Sequence, residues 1–355
     1  MTMNKITEND IKKIDKSNMY KVLLDFPEQI AEAINIGEHS PAMKPTNDFL
    51  VLGMGGSAIG GDILSNYFAT TEGLSHIRIS VNRDYNIPGY INRNTGIIAS
   101  SYSGGTEETI SALNSATNIS KNILCITTGG LLADIADKNN FTKVLIPSGL
   151  MPRCALGYSF FTLLKILQKS ADITQSTKQT INNEIDNTLS ILKEKSVLYS
   201  QSDESNPAYR IAKSIVNTIP IVYSSGRLNT VNLRWRAQMQ ENAKNIAFGN
   251  ILPEMNHNEI NSWSNPQKTL NNFSLLLLRH IKDSDKIIKR MNAVELLLGE
   301  KVKQVINVES TAKGNLTRMF DLIYLGDWLS YFLAIFNSED PTPIPLISKF
   351  KEILK

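Results

Sequence analysis

The sequence contains few cysteines and no long apolar run, and these two features limit the classes of protein to which it can belong. Its 355 residues include 2 cysteines, Cys125 and Cys154, which lie among apolar residues and follow no metal-binding spacing. A disulfide framework is excluded, and two buried, reduced thiols are predicted. The first residues are polar, without the apolar core of a signal peptide, and no apolar run approaches the roughly 18 residues that span a bilayer. We therefore expect a soluble, cytoplasmic protein that does not enter a membrane.

Neither positive nor negative charge is concentrated in one part of the chain. The 37 Lys and Arg residues nearly balance the 34 Asp and Glu residues, which leaves a formal net charge of +3. Because no dense basic block with interleaved aromatic residues occurs, nucleic acid is not expected as a partner. Hydrophobic and charged contents of 42% and 20% are typical of a globular protein, and the length favours two domains.

A glycine-rich stretch follows an apolar run near residue 50. Residues 49–52 predict a buried parallel strand that runs into a tight turn. Gly55 and Gly56 would leave backbone amides open to a ligand, and Ser57 would begin a helix. A strand, a glycine-rich turn and a helix N-terminus together favour an anion. Taken alone, the stretch fits a phosphate monoester, the dinucleotide of a G-x-G-x-x-A fingerprint, or a turn without a ligand.

The rest of the chain alternates apolar strands with helical stretches of ten to fifteen residues, which predicts α/β architecture with two doubly wound parallel sheets. Residues 1–45 would form a helical lead-in, and the polar residues 169–206 would connect the halves. We place an N-terminal domain at residues 1–170 and a C-terminal domain at residues 171–355. Strands are predicted at residues 49–52, 76–81, 96–101, 122–128, 143–147, 220–224, 274–278 and 304–308. Helices are predicted near residues 57–69, 106–117, 155–167, 230–244 and 316–336.

A second candidate phosphate loop follows the third predicted strand. Ser101, Ser103 and Thr106 place three hydroxyls around a Gly-Gly turn at a helix start. Ligands of open α/β sheets bind outside the carboxyl ends of the strands, so this loop and the first glycine-rich turn should face one crevice. A helix N-cap is the alternative for Thr106, but it leaves the two serines unexplained. A dinucleotide site would need an acidic residue at the end of the second strand, and the chain offers only Asp84. This weakens the hypothesis that the protein is a dinucleotide-dependent dehydrogenase.

These two loops resemble those of the sugar isomerase (SIS) domain. The matching residues are Gly53-Met-Gly-Gly-Ser57 and Ser101-Tyr-Ser-Gly-Gly-Thr106-Glu-Glu-Thr, and Gly105 departs from the asparagine expected there. Two such halves resemble the bifunctional phosphoglucose/phosphomannose isomerases of archaea and bacteria, from about residue 20 to the C-terminus. The resemblance implies two SIS-type, flavodoxin-like domains and an isomerase without cofactor or metal. Its substrates would be glucose 6-phosphate and mannose 6-phosphate, and both would be interconverted with fructose 6-phosphate through a cis-enediolate. The implied phosphate-binding residues are Gly55, Gly56, Ser57, Ser101, Ser103 and Thr106.

Such a reaction needs a base that moves a proton between C2 and C1. A carboxylate with a raised pKa suits this task. Glu241 lies in a predicted helix, away from the apolar stripe that Trp235 and Met239 form at a spacing of four. Its spacing alone also fits a solvated glutamate paired with a nearby Lys or Arg. The segment Gln-Glu-Asn-Ala-Lys resembles the catalytic-base segment of the family, which implies that Glu241 shuttles the proton.

Ring opening needs a group that titrates near neutrality, as histidine does. Of the four histidines, His257 lies in a polar loop, Pro-Glu-Met-Asn-His-Asn-Glu. A surface histidine is one alternative, and a metal ligand with Glu254 and Glu259 is another; no second histidine has ligand spacing. The string resembles the family's ring-opening segment. In that family the histidine comes from the neighbouring subunit, which implies a homodimer.

The enediolate needs a fixed positive charge, and a guanidinium keeps its charge at any relevant pH. Arg153 follows the fifth strand and opens an apolar helix, where a cation opposes the helix dipole and a purely structural role is unfavourable. This Pro-Arg segment resembles that of the family, whose arginine stabilises the intermediate.

The C-terminal segment contains Thr342 and Lys349, seven residues apart, so on one helix they would share a face. The family carries a threonine and a lysine in this terminal helix. The lysine helps to open the ring, and the small threonine leaves room for both C2 epimers. Lys351 competes for the role of the lysine, and a solvated C-terminal lysine remains an alternative.

Two functions of other classes share part of this pattern. A non-catalytic sugar-phosphate-binding regulatory protein would keep the phosphate loops but would need a DNA-binding element, and residues 1–45 contain no tri-helical basic module. A dinucleotide-dependent oxidoreductase would respond to NAD(P)H. We expect an isomerase acting on a hexose 6-phosphate.

Overall fold

The structure is a computed structural model that describes residues 6–354. Its helices are α1 (Glu8–Ile14), α2 (Met19–Leu24), α3 (Phe26–His39), α4 (Gly55–Thr70), α5 (Glu107–Ala116), α6 (Gly130–Asn139), α7 (Leu156–Ser170), α8 (Gln175–Tyr199), α9 (Pro207–Ile215), α10 (Asn229–Glu241), α11 (Asp285–Leu298), α12 (Asn315–Phe336) and α13 (Pro345–Ile353). Its strands are β1 (Asp48–Leu52), β2 (Arg78–Asn82), β3 (Gly96–Ser100), β4 (Ile123–Thr127), β5 (Thr142–Leu145), β6 (Ile219–Ser225), β7 (Phe248–Leu252), β8 (Phe273–Arg279) and β9 (Gln304–Glu309).

The chain folds into two compact units. The N-terminal unit comprises residues 25–189, and the C-terminal unit combines residues 6–24 with residues 190–354. These units differ from the division expected at residue 170. Helices α1 and α2 pack within the C-terminal unit, and most of α8 belongs to the N-terminal unit.

The N-terminal unit is built on a five-stranded sheet of order β2-β1-β3-β4-β5, in which all paired strands are parallel. This is the flavodoxin-like order, with its switch point between β1 and β3. Leu50 and Leu52 pack in one core with residues of α5 and α6, whereas Val51 contacts Gly61 of α4. Since successive side chains of a strand point to opposite faces, helices cover both faces of the sheet.

The C-terminal unit contains a four-stranded parallel sheet of order β7-β6-β8-β9. This order repeats the first four positions of the other sheet. Tyr223 and Leu277 share a core with Met291 of α11 on one face. On the other face, the Asn232 side chain of α10 donates to the carbonyl oxygens of Val222 and Asn250, at 2.9 and 3.1 Å. The predicted α/β class with two doubly wound parallel sheets is confirmed.

Helix α12 is the central core helix of the C-terminal unit. The Arg234 guanidinium of α10 makes two bonds to the Asp327 carboxylate, at 2.7 and 3.0 Å, and both side chains are buried. The Trp235 indole donates to the Leu322 carbonyl at 2.7 Å. By length and composition α12 could cross a membrane, contrary to our expectation that no apolar stretch reaches this length. Since 94% of its apolar window is buried inside the protein, it is a core helix.

The first helices are attached to this core by buried tyrosines. The Tyr324 hydroxyl donates to the Leu23 carbonyl at 2.8 Å, and the Tyr331 hydroxyl to the Asp15 carboxylate at 3.2 Å. Asp15 also accepts the Met19 and Tyr20 amides, both at 2.8 Å, and so caps the start of α2. The N-terminal helical segment is therefore an integral part of the C-terminal unit.

The two cysteines are buried and form no disulfide, as the sequence predicted. Burial raises the pKa of the Cys125 thiol to about 12, so this thiol is protonated and unreactive at neutral pH.

Substituting Gly326 by alanine tests the contact between α10 and α12. A Cβ at this position would lie 2.5 Å from Cδ1 of Trp235, in a fully buried contact. Overpacking of this kind costs about 1–3 kcal/mol. We expect Gly326→Ala to lower the thermal unfolding midpoint by several degrees, at roughly 2–4 °C per kcal/mol. Gly89→Ala is the matched control, because a Cβ at Gly89 meets no atom within 4 Å. Equal midpoints for both variants would contradict the proposed packing.

Candidate active site

The two glycine-rich loops meet at the carboxyl edge of the first sheet. Strands β1 and β3 are neighbours, with Leu52 opposite Ala99, so the loops that follow them start side by side. The Tyr102 amide of the second loop donates to the Ser57 hydroxyl of the first at 3.0 Å. The structure thus brings Ser57 next to the Ser101–Thr106 loop, as expected for residues that share one crevice.

The hydroxyls of the second loop are arranged around a short contact. Ser101 and Thr106 share a hydrogen bond of 2.8 Å between their side-chain oxygens, and Ser101 is fully buried. Thr106 occupies the N-cap position of α5, but its side chain makes no capping hydrogen bond. The Ser103 side chain is exposed and accepts from the Gly105 amide at 3.4 Å. Capping therefore does not account for the Thr106 hydroxyl.

Gly55 and Gly56, the first two residues of α4, have different surroundings. Gly55 has a φ of +49°, in the left-handed region that favours glycine, and a Cβ there would meet no atom within 4 Å. A Cβ on Gly56 would collide with the Pro152 carbonyl and lie 2.7 Å from the Arg153 amide nitrogen. Gly56 is required because the first loop packs directly on the backbone that carries Arg153.

Arg153 lies in a short 3₁₀ helix, Pro152–Cys154, and its side chain is buried. A side chain of α3 fixes the turn that follows. The Gln29 side chain donates to the Cys154 carbonyl at 2.9 Å and accepts from the Gly157 amide at 2.7 Å. The structure thus places Arg153 beside the two glycine-rich loops, within the N-terminal unit.

Sequence reasoning missed a third loop at this edge. The Thr127-Thr128-Gly129-Gly130 turn joins β4 to α6, and the Thr128 amide and hydroxyl both donate to the Tyr102 carbonyl, at 3.1 and 2.8 Å. The Leu132 amide donates to the Gly104 carbonyl at 2.8 Å. A buried strand followed by Gly-Gly is the signal that would have identified this third loop. The hydrogen bonds to Tyr102 and Gly104 hold the second loop in place.

In the C-terminal unit, Glu241 is the last residue of α10 and is half-buried. The helix is held on α12 by the buried Arg234–Asp327 pair, to which the Gln238 side chain adds a bond of 3.1 Å. Just beyond Glu241, the Asn242 side chain donates to the Ser330 hydroxyl at 2.9 Å. Buried polar contacts on both sides therefore fix the position of Glu241.

The segment around Thr342 is tied to the end of α10. The Lys244 ammonium donates to the carbonyl oxygens of Asp340 and Asn242. The Asp340 side chain in turn accepts the Thr342 amide at 3.0 Å. These bonds place Thr342 close to the turn that follows Glu241.

The expectation that Thr342 and Lys349 share a helix face is wrong, because α13 begins at Pro345. Prolines at positions 343 and 345 disfavour helical conformation in the residues before them, so Thr342 stays outside the helix. Lys349 and Lys351 both lie on α13 and are exposed. The structure does not distinguish these two lysines.

His257 is exposed and lies at the end of a 3₁₀ turn, where its amide donates to the Glu254 carbonyl at 2.9 Å. Its loop is held by Glu259, whose carboxylate accepts hydrogen bonds from the Tyr223 hydroxyl at 2.5 Å and from the Asn250 side-chain Nδ2 at 2.6 Å. The His257 ring makes no hydrogen bond to any residue between 6 and 354.

The other histidines are less available. The rings of His39 and His76 each contact a backbone carbonyl at 2.9 Å. His280 is buried, its Nδ1 accepts the Lys282 amide at 3.0 Å, and burial lowers its pKa. Of the four, His257 has the ring best placed to reach a ligand or another chain.

Comparison with known proteins identifies relatives over most of the chain. Residues 204–354 match the family model described as bacterial phospho-glucose isomerase C-terminal SIS domain. The bifunctional phosphoglucose/phosphomannose isomerase of Caldicellulosiruptor bescii is 37% identical over 342 residues, which cover 95% of this chain and 98% of that protein. The D-glucosamine-6-phosphate 4-epimerase of Sulfolobus acidocaldarius is 31% identical over 252 residues, which cover 71% and 74% of the two proteins.

A solved structure supports the fold. The glucose-6-phosphate isomerase like protein from Thermus thermophilus superposes with a TM-score of 0.62 at 14% sequence identity, over 99% of this chain and 100% of that one. At this identity the likeness concerns the fold alone. The sequence relationship is stronger, since a relative more than one-third identical matches this chain almost from end to end. The chain belongs to the family of bifunctional phosphoglucose/phosphomannose isomerases.

Proposed function

We propose that the protein is an aldose–ketose isomerase that interconverts glucose 6-phosphate and mannose 6-phosphate with fructose 6-phosphate through a cis-enediolate. Family membership supports this function. The observation that carries it is the hydrogen bond between Tyr102 and Ser57, because it unites the hydroxyls and amides of two loops at the switch point of a parallel sheet. The comparisons give no support to a non-catalytic sugar-phosphate-binding protein.

The phosphate group would bind to the two loops of the N-terminal unit. Hydroxyls and backbone amides at a helix N-terminus bind a dianion without adding formal charge, which suits a substrate that must be released. The residues proposed for this role are Gly55, Gly56, Ser57, Ser101, Ser103 and Thr106.

Glu241 would remove the proton from C2 of the open-chain aldose and return it to C1. During this step negative charge develops on the oxygens of the enediolate, and the Arg153 guanidinium would stabilise it. Both side chains are shielded from bulk water, Arg153 more completely than Glu241, which strengthens electrostatic interactions with a substrate.

His257 would assist ring opening together with Lys349, and Thr342 would leave room for either epimer at C2. The exposed position of His257 supports a role in a neighbouring protomer, so we propose a homodimer in which this histidine crosses the interface. The two buried cysteines, which form no disulfide, are compatible with the cytoplasm, where we expect the enzyme to act.

A 4-epimerase that acts on an amino sugar phosphate is the second candidate, because one relative carries that activity in its name. Coupled assays with glucose 6-phosphate, mannose 6-phosphate and glucosamine 6-phosphate separate the two. Turnover of both glucose 6-phosphate and mannose 6-phosphate supports the isomerase, and turnover of glucosamine 6-phosphate alone would overturn it.

Replacing Glu241 by glutamine removes the proposed base and keeps the shape of the side chain. We expect Glu241→Gln to reduce kcat at least ~10²-fold with either hexose 6-phosphate, as for loss of a general base. Glu300→Gln, an exposed glutamate of the same unit, should retain wild-type kcat. Near-normal turnover by the Glu241 variant would remove this residue from the mechanism.

Replacing Thr106 by valine tests the phosphate loop. The variant keeps the shape of the side chain but loses the hydroxyl, and a hydrogen bond to a charged group contributes about 1.5–3 kcal/mol. We expect KM for fructose 6-phosphate to rise about tenfold or more. Thr117→Val is the control, since Thr117 caps the other end of the same helix. An unchanged KM in Thr106→Val would exclude the hydroxyl from phosphate binding.

Mixed dimers test which of the two subunits supplies His257 to each active site. Glu241→Gln and His257→Asn are each expected to be inactive, but a mixed dimer would contain one site with both native residues. Co-expression of the two variants should therefore restore about one quarter of wild-type activity, because half of the dimers are mixed and one of their two sites is intact. If His257 acts within its own chain, no activity returns.

A further inference from the structure

Tyr102 occupies the centre of the candidate site, and its side chain takes no part in the proposed binding and proton-transfer steps. It lies between two of the proposed phosphate-binding serines and is 8% exposed. Its amide donates to the Ser57 hydroxyl, and its carbonyl accepts both the amide and the hydroxyl of Thr128. Through its backbone alone, Tyr102 joins the loops that follow β1, β3 and β4.

The Tyr102 side chain reaches a fourth loop, which follows β5. Its hydroxyl donates to the Pro147 carbonyl at 3.0 Å and accepts the Leu150 amide at 3.0 Å. These two contacts span the loop that leads from β5 to the 3₁₀ helix containing Arg153. Ser148 and Gly149, at the tip of that loop, are exposed. The tyrosine hydroxyl therefore closes this loop at its base.

The chemistry of the hydroxyl suits a permanent structural bond. Burial raises the pKa of Tyr102, so the hydroxyl stays protonated across the range in which a glutamate base works, and it can donate and accept at once. On the other side of the same segment, Gly56 packs against the Pro152 carbonyl and the Arg153 amide. The backbone of Arg153 is thus set by the first phosphate loop on one side and by the loop that Tyr102 holds on the other.

We propose that Tyr102 is a positioning residue that sets the place of Arg153 relative to the phosphate loops through the hydrogen bonds of its hydroxyl to Pro147 and Leu150. The proposal rests on the proposed function for the role of Arg153. Tyr102 does not contact the reacting carbons. Its effect is transmitted through the short backbone segment between Pro147 and Arg153, and a misplacement of about 1 Å at a catalytic group is enough to lower a rate up to ~10²-fold.

The Tyr102→Phe variant removes the two side-chain bonds and keeps the ring and all backbone contacts. We expect kcat for both hexose 6-phosphates to fall about 10- to 100-fold, while KM changes less than about twofold, because the phosphate loops stay joined through the backbone. The matched control is Tyr67→Phe, which removes a buried hydroxyl bond to Glu184 in the same unit, near the far end of α4. This control should retain wild-type kcat.

A double-mutant cycle with Arg153→Lys separates positioning from general destabilisation. If Tyr102 acts through Arg153, the double variant should have nearly the same kcat as Arg153→Lys alone, whereas Tyr67→Phe should lower the kcat of Arg153→Lys no more than that of the wild type. Effects of Tyr102→Phe and Arg153→Lys that multiply independently would overturn the proposal.

Amide hydrogen exchange provides a readout that needs no substrate. We expect exchange at the amides of residues 148–151 and 153, above all that of Leu150, to accelerate about tenfold or more in Tyr102→Phe and to stay at the wild-type rate in Tyr67→Phe. An unaltered exchange rate in Tyr102→Phe overturns the inference whatever the activity. A wild-type enzyme inactive on both hexose phosphates would instead overturn the proposed function, and the exchange experiment would still decide whether Tyr102 holds the loop.

Discussion

The parallel pairing of β1 with β3 is the constraint on which the candidate phosphate site depends. Because these strands run side by side in the same direction, their carboxyl ends deliver two loops to one point. The hydrogen bond between Tyr102 and Ser57 then fixes the loops to each other. Neither α4 nor α5 has a side-chain cap at its N-terminus in the described part of the chain, so the positive ends of both helices remain available to an anion.

The C-terminal unit positions its candidate base by a different kind of contact. Helix α10 lies on α12 through a buried ion pair, Arg234 with Asp327, whose charges are further satisfied by Gln238. Such a pair gains little stability over apolar packing, but losing one partner is costly because a charge remains buried. A buried polar contact of defined geometry therefore fixes the rotation and register of α10, and with them the place of Glu241 at its end.

Much of the fold could be predicted from local patterns. Strands β3 and β8 have uninterrupted apolar centres, at residues 97–99 and 275–278, and their predicted bounds lie within one residue of those in the structure. Strand β7 was missed because it lies at a sheet edge and contains Gly249 and Asn250, which weaken the apolar pattern. Helices α6 and α11 were also missed. Two glycines, Gly129 and Gly130, stand at the start of α6 and weaken the helical pattern. In α11 the signal was present, since Ile287 and Met291 have helical spacing after a Ser284 cap.

Of the candidate site residues, too, some could be predicted from local patterns and others could not. The glycines and hydroxyls of the two loops were recognisable from spacing alone, since both follow buried strands. The roles of Glu241, His257, Arg153, Thr342 and Lys349 depended on the resemblance to a family. Thr342 shows the limit of helical spacing as a guide, because the helix that carries Lys349 begins only at Pro345, after Pro343 and Ile344. The support given by Tyr102 to the β5 loop joins residues 45 or more positions apart, and no local pattern encodes such a contact.

The attachment of α1 and α2 to the C-terminal unit has a consequence for how this chain is made. The N-terminal unit is an insertion in the sequence of the other unit, since residues 6–24 precede it and residues 190–354 follow it. Domains generally fold in order as the ribosome delivers them. The inserted unit can therefore fold while synthesis continues, whereas the leading helices must wait for Tyr324 and Tyr331, among the last buried residues to emerge.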